Sequence, residues 1–94
     1  MDILTKEVIN NNLRSLPGWA SVDNYIFKEY KTKDFVDAVS FLMKIAVEAE
    51  KMDHHPDVLI HSYNKVKITL STHSKGGVTE NDFKLARIIE NLSK

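Results

Sequence analysis

All four histidines of the chain, His54, His55, His61 and His73, lie within one short stretch, and a carboxylate, Glu50, sits four positions before the first. Imidazole is the side chain whose ordinary charge change falls nearest neutrality, so clustered histidines raise the question of proton transfer. Residues four apart share a helix face, so Glu50 and His54 are expected to meet if a helix runs that far. The partial negative charge of a helix C-terminus favours a protonated imidazole, and a nearby carboxylate acts in the same direction. The plainer reading is a histidine capping a helix end, with Glu50, Lys51 and Asp53 forming a solvated charged terminus. Asp82 is open in the same way, because it fits a capping motif at the start of a last helix. His61, in a strand beside Ser62 and Tyr63, reads as a surface or interface residue. His73 follows a strand, where sites commonly form.

Other chemistries fit less well. Three histidines and a carboxylate can make a zinc site. Against this, His54 and His55 are adjacent, the HExxH spacing is absent, and neighbours on a helix diverge by about 100°. No nucleophile elbow or phosphate-cradling glycine loop is present. With no cysteine in the chain, disulfides and thiolate chemistry are excluded.

The elements that must position these residues are legible in the hydropathy pattern. Residues 5–14 suggest a short helix with Thr5 as N-cap, closed by Pro17-Gly18. Trp19 to Lys31 is rich in aromatic and β-branched residues and turns at Asp23-Asn24, a hairpin signal. Residues 33–52 predict the longest helix, with Thr32 as N-cap. Its core stripe is expected at Phe35, Val39, Leu42, Ala46 and Ala49, flanked by Val36, Met43 and Val47. Pro56 disfavours helical backbone at His55, so the helix ends near the histidine pair. Residues 58–63 and 66–72 predict a second hairpin around Asn64-Lys65, half-buried because Val66, Ile68 and Leu70 alternate with polar residues. Continued alternation would send His73 to the side opposite Leu70. After Gly76-Gly77, Thr79 starts a last helix with Asp82 at its third position and apolar residues Phe83, Leu85, Ala86, Ile88, Ile89 and Leu92. The order helix, hairpin, helix, hairpin, helix predicts an α+β fold: a four-stranded antiparallel sheet with helices packed on one face.

The 94 residues, 43% of them hydrophobic, predict a single domain, 1–94, small enough that association would add stability. The 13 basic and 13 acidic residues balance, which gives no electrostatic reason for a nucleic-acid or anionic-membrane partner. No run approaches the roughly 18 apolar residues of a membrane span, and no secretory leader pattern is visible. The Asn91-Leu92-Ser93 triplet is then a chance glycosylation match. The expectation is a soluble, intracellular, cytoplasmic protein.

The spacing of Glu50, His54-His55-Pro56, Tyr63, His73 and Asp82 resembles the signature of the pterin-4a-carbinolamine dehydratases. Supporting stretches are Gly18-Trp19, KDF at 33–35, AEKMDHHPD at 49–57 and YNKVKITLSTH at 63–73, so the similarity spans nearly the whole chain. It implies an antiparallel sheet with helices on one side, and dimers or tetramers with sheets joined across subunits. The implied reaction is loss of water from 4a-hydroxytetrahydropterin to give quinonoid dihydropterin, without metal or organic cofactor. It follows an aromatic amino acid hydroxylase that uses the tetrahydropterin. Carried onto this sequence, the resemblance makes His54 and His73 acid/base residues, while His55 binds and orients the pterin. Glu50 tunes the histidines, Asp82 supports the site, and Asp53, Ser71, Thr72 and Ser74 match substrate-contacting segments. Animal members, which also act as dimerisation cofactors for a homeodomain transcription factor, often carry an aromatic residue where this chain has Val58. A protein-binding role and a pterin-binding role in molybdenum cofactor metabolism are the alternative readings.

Overall fold

The computed structural model describes residues 2–94. Helix α1 (Lys6–Leu13) starts at Thr5, whose hydroxyl oxygen accepts the Val8 N–H. Strands β1 (Ala20–Val22) and β2 (Tyr25–Lys31) form a hairpin that turns through Asp23, at φ 53°. Helix α2 (Phe35–Met52) is followed by β3 (Asp57–His61), β4 (Lys65–Leu70) and helix α3 (Glu80–Leu92). The strands make one sheet in the order β1-β2-β4-β3, antiparallel throughout.

Strand alternation decides which side the helices cover. Ile26 and Tyr30 of β2 and Val66, Ile68 and Leu70 of β4 are buried on one face. Against them pack Ala38, Phe41, Ile45 and Ala49 of α2 and Phe83, Leu85, Ala86 and Ile89 of α3. Each fully buried large apolar side chain contributes roughly 1.5–3 kcal/mol relative to exposure. The other face, with Glu29, Leu59 and Lys67, stays open.

Three local expectations are corrected. Asp34, not Thr32, caps α2: its Oδ1 accepts the Asp37 N–H at 2.8 Å. Thr32 is engaged elsewhere, because its N–H donates to Asn64 O at 2.8 Å and Asn64 Nδ2 donates back to Thr32 O at 3.2 Å. That exchange draws Asn64 into the interior and moves the second hairpin's turn to Ser62-Tyr63, both in the left-handed region. The α2 core stripe is also rotated from the expected one. Ala38, Phe41, Ile45 and Ala49 face the sheet, whereas Phe35, Val36, Val39, Met43 and Val47 are exposed.

At one end of the molecule α3 is pinned to the first hairpin. Glu90 Oε1 accepts from Trp19 Nε1 at 3.1 Å, Lys28 Nζ at 2.5 Å and Tyr30 OH at 2.5 Å. Burial alone would raise the Glu90 carboxyl, but the Lys28 and Tyr30 hydrogen bonds and the lysine charge outweigh it and hold the group below its ordinary value. Burial, reinforced by Glu90, pushes the Tyr30 hydroxyl up.

Candidate active site

The opposite end brings three elements together: the C-terminus of α2, the segment leaving β4, and the N-terminus of α3. Helix α2 stops at Met52, and Asp53 closes it in the left-handed conformation at φ 49° and ψ 45°, donating its N–H to Ala49 and Glu50 carbonyls. Aspartate tolerates this conformation better than most residues. The turn removes His54 from the helical register, so the expected Glu50–His54 pair does not form. His54 instead swings inward, and its Nε2 lies 2.6 Å from Asp82 Oδ1. Glu50 pairs with the next residue, His55, at 2.7 Å from Nε2.

Asp82 is fully buried, and each of its oxygens is used. Oδ1 meets His54; Oδ2 accepts the Thr79 N–H and the Thr72 hydroxyl, both at 2.9 Å. The backbone bond is the carboxylate half of a capping box at the start of α3. One side chain thus both caps α3 and meets His54. With the carboxylate ionised, His54 Nε2 carries the hydrogen. Nδ1 makes no hydrogen bond within the described residues, and none of their fully buried nitrogen or oxygen atoms is left without a partner. His54 Nδ1 therefore reaches solvent, although the side chain as a whole is only 9% exposed.

The segment carrying His73 leaves the sheet at Leu70, earlier than expected, so strand alternation does not decide where His73 points. Thr72 makes a bridge to Gly77, its N–H donating to Gly77 O at 2.9 Å, and its carbonyl accepts the Lys75 and Gly76 N–H groups at 2.9 Å. Gly76 closes the turn at φ 75°, where a side chain would be strained. His73 and Ser74 are exposed on this turn. Ser71 donates its hydroxyl to Asn24 O at 2.8 Å, tying the turn to the β1–β2 hairpin.

His55 and Glu50 border a cleft of about 320 Å³ that is otherwise apolar, with Leu42, Ile45, Ala49, Pro56 and Val58 in its walls. Asp53 is exposed beside it in sequence. His61 is apart from this end and reaches across the open sheet face to Glu29, at 2.5 Å. Among the described residues no group of three histidine or acidic side chains is placed to hold a metal ion. Thr79 was legible only as a helix start; its hydroxyl, 2.7 Å from that of Thr72, is also part of this cluster. The Thr79-to-Asp82 spacing shows that the carboxylate folds back on the helix start, but not that its second oxygen is free for a histidine 28 positions earlier.

The family model described as pterin 4 alpha carbinolamine dehydratase matches residues 2–92. A relative of that name group from Sulfolobus acidocaldarius is 44% identical over 89 residues, 95% of this chain and 97% of its own. One from Brucella ovis is 48% identical over 86 residues, 89% of this chain and 88% of its own. The fold superposes on the crystal structure of a transcriptional coactivator/pterin dehydratase from Brucella melitensis with a TM-score of 0.93 and 43% identity, over 99% of this chain and 100% of that one. A pterin dehydratase-like RuBisCO assembly factor of the alpha-carboxysome, 20% identical with a TM-score of 0.65, covers 80% of this chain and 86% of its own and shares the fold. This chain belongs to the pterin-4a-carbinolamine dehydratase family.

Proposed function

We propose that the protein removes water from 4a-hydroxytetrahydropterin by histidine acid/base catalysis, giving quinonoid dihydropterin. The observation that carries this reading is the buried Asp82–His54 pair, which occupies Nε2 and leaves Nδ1 open. A carboxylate on one ring nitrogen fixes the tautomer and orientation of the other, as proton transfer requires. The carbinolamine supplies its own electron push, because a ring-nitrogen lone pair can expel the hydroxyl at C4a. What the protein must add is a proton on the departing hydroxyl, which leaves as water, and an acceptor for the proton lost from a ring nitrogen. His54 and His73 take these two parts. His55, held by Glu50 on the rim of the cleft, orients the flat heterocycle. Asp53, Ser71 and Ser74 are the further candidate substrate contacts. The wider role is recycling of tetrahydropterin in the cytoplasm, downstream of a pterin-using hydroxylase. The test is a dehydratase assay on chemically generated 4a-hydroxytetrahydropterin; a rate no faster than spontaneous dehydration would sink the reading.

A second reading, association through protein surfaces, is supported by the exposed Phe35, Val36, Val39, Met43 and Val47 on one side of α2. Contiguous apolar surface of this kind marks interaction sites. The first partner to expect is another copy, in a dimer or tetramer. Light scattering at micromolar concentration should give a multiple of the 10.8 kDa chain mass. A monomer there, and in Val36→Glu as well, would count against it.

A further inference from the structure

The four hydrogen bonds around Asp82 have a definite direction. Thr72 has one hydroxyl hydrogen, and it goes to Asp82 Oδ2 at 2.9 Å. The Thr72–Thr79 contact at 2.7 Å must then use the Thr79 hydrogen, with Thr72 Oγ1 accepting. The Thr79 N–H and His54 Nε2–H complete the set, so three donors converge on the carboxylate and the fourth, the Thr79 hydroxyl, backs Thr72. Thr79 and Asp82 are fully buried, and water is not needed to satisfy either. A carboxylate held by three fixed donors on its two oxygens has one orientation, and the imidazole it holds inherits that orientation.

Thr72 has a further connection. Its backbone forms the bridge to Gly77 and accepts both N–H groups of the turn that contains His73. One residue therefore touches the supports of both histidines: His54 through Asp82, and His73 through the chain next to it.

We propose that Thr72 is a positioning residue rather than a substrate contact. Its hydroxyl, with Thr79 behind it, locks Asp82 so that His54 presents Nδ1, and its backbone sets the His73 turn in the same frame. This assignment rests on the acid/base reading above, but its spectroscopic test does not. Since the hydroxyl's hydrogen and one lone pair are already committed inside the cluster, little is left for a pterin.

The variants to compare are Thr72→Val, Thr72→Ser and Thr79→Val, each checked for folding by circular dichroism. Thr72→Val should lower kcat for dehydration about 10-fold or more, the scale of loss when a partner that orients a working histidine is removed. KM should stay within about 3-fold, because no substrate contact is lost. Thr72→Ser, which keeps the hydroxyl, should restore the parent kcat, and Thr79→Val should lose less than Thr72→Val. In an Asp82→Asn background, Thr72→Val should have little further effect, since both act through the same carboxylate. Long-range proton–nitrogen correlation spectra should show His54 as the Nε2–H tautomer in the parent and a mixture in Thr72→Val. A rise in KM with unchanged kcat would return Thr72 to substrate binding and overturn the proposal. So would an Nδ1–H tautomer in the parent, a result that needs neither activity nor a stable Thr72→Val. If the parent has no dehydratase activity, the functional reading fails, and the tautomer and its response to Thr72→Val still decide the positioning role.

Discussion

His54 and His55 are neighbours in the chain, each with a carboxylate at nearly the same distance, 2.6 and 2.7 Å from Nε2, yet they are placed in opposite physical regimes. The His54 and Asp82 side chains are 9% and 0% exposed; those of His55 and Glu50 are 58% and 76% exposed. In water an ion pair exchanges readily with hydration and contributes roughly 0–1 kcal/mol. Inside the protein, removing one partner leaves the other desolvated and unpaired, so the pair holds its geometry. Distance alone would rank the two pairs equal. Burial separates them into a fixed pair and an adaptable one, which is what the proposed division between proton transfer and substrate binding requires.

The largest expected effect tests the fixed member. Alanine at His54 or His73 should slow dehydration by roughly 10²-fold or more, the common scale for acid/base catalysis. The double variant should fall further, and His61→Ala, on the open sheet face, should stay within a few-fold. Full activity in both folded single variants would overturn the assignment of proton transfer to His54 and His73.

A third carboxylate, Glu90, sharpens the comparison because it is partly buried and its partners Trp19, Lys28 and Tyr30 lie at the other end of the molecule. Its folded-state value lies below the ordinary one. Its contribution is therefore complete above the unfolded value, about pH 4.3, and is lost as pH falls through the lower folded value. Denaturant titrations should show Glu90→Gln less stable than the parent by at most roughly 1 kcal/mol at pH 7. That gap should close below about pH 4, and a constant gap down to pH 2 would contradict the assignment.

The smallest effect belongs to the exposed pair. Glu50→Gln should leave kcat within about 3-fold, as expected where water already competes for the interaction. A loss as large as that of His54→Ala would mean that the cleft closes over Glu50 when substrate binds.

Much of this arrangement was legible in the chain because it is local. The Thr5 cap, the Asp23 turn, the stop before Pro56 and the Thr79–Asp82 relation each involve residues within a few positions. The α2 face was misjudged for a physical reason. That helix is apolar on two sides, and periodicity reports that stripes exist without saying which the sheet will cover. The stripe through Ala38, Phe41 and Ile45 is covered, and the one through Phe35, Val39 and Met43 is not. The partner of His54 was hidden for another reason. Glu50 is close in sequence and Asp82 is distant, and only the packing of α3 against the sheet brings the distant one near.

The left-handed residue at position 53 has a consequence for how this family's sequences can change length. Two identical letters in succession look interchangeable, but Asp53 works as a phase setter, assigning the inner place to whichever residue follows it. A one-residue insertion between Asp53 and His54 would leave helix α2 intact while delivering the wrong side chain to Asp82. Circular dichroism of such a variant should match the parent, and the His54–Asp82 signature in its nitrogen spectrum should be gone. Length variation is expected to be excluded here and tolerated in the exposed Ser62-Tyr63 turn, which makes residue count at this corner as informative as residue type.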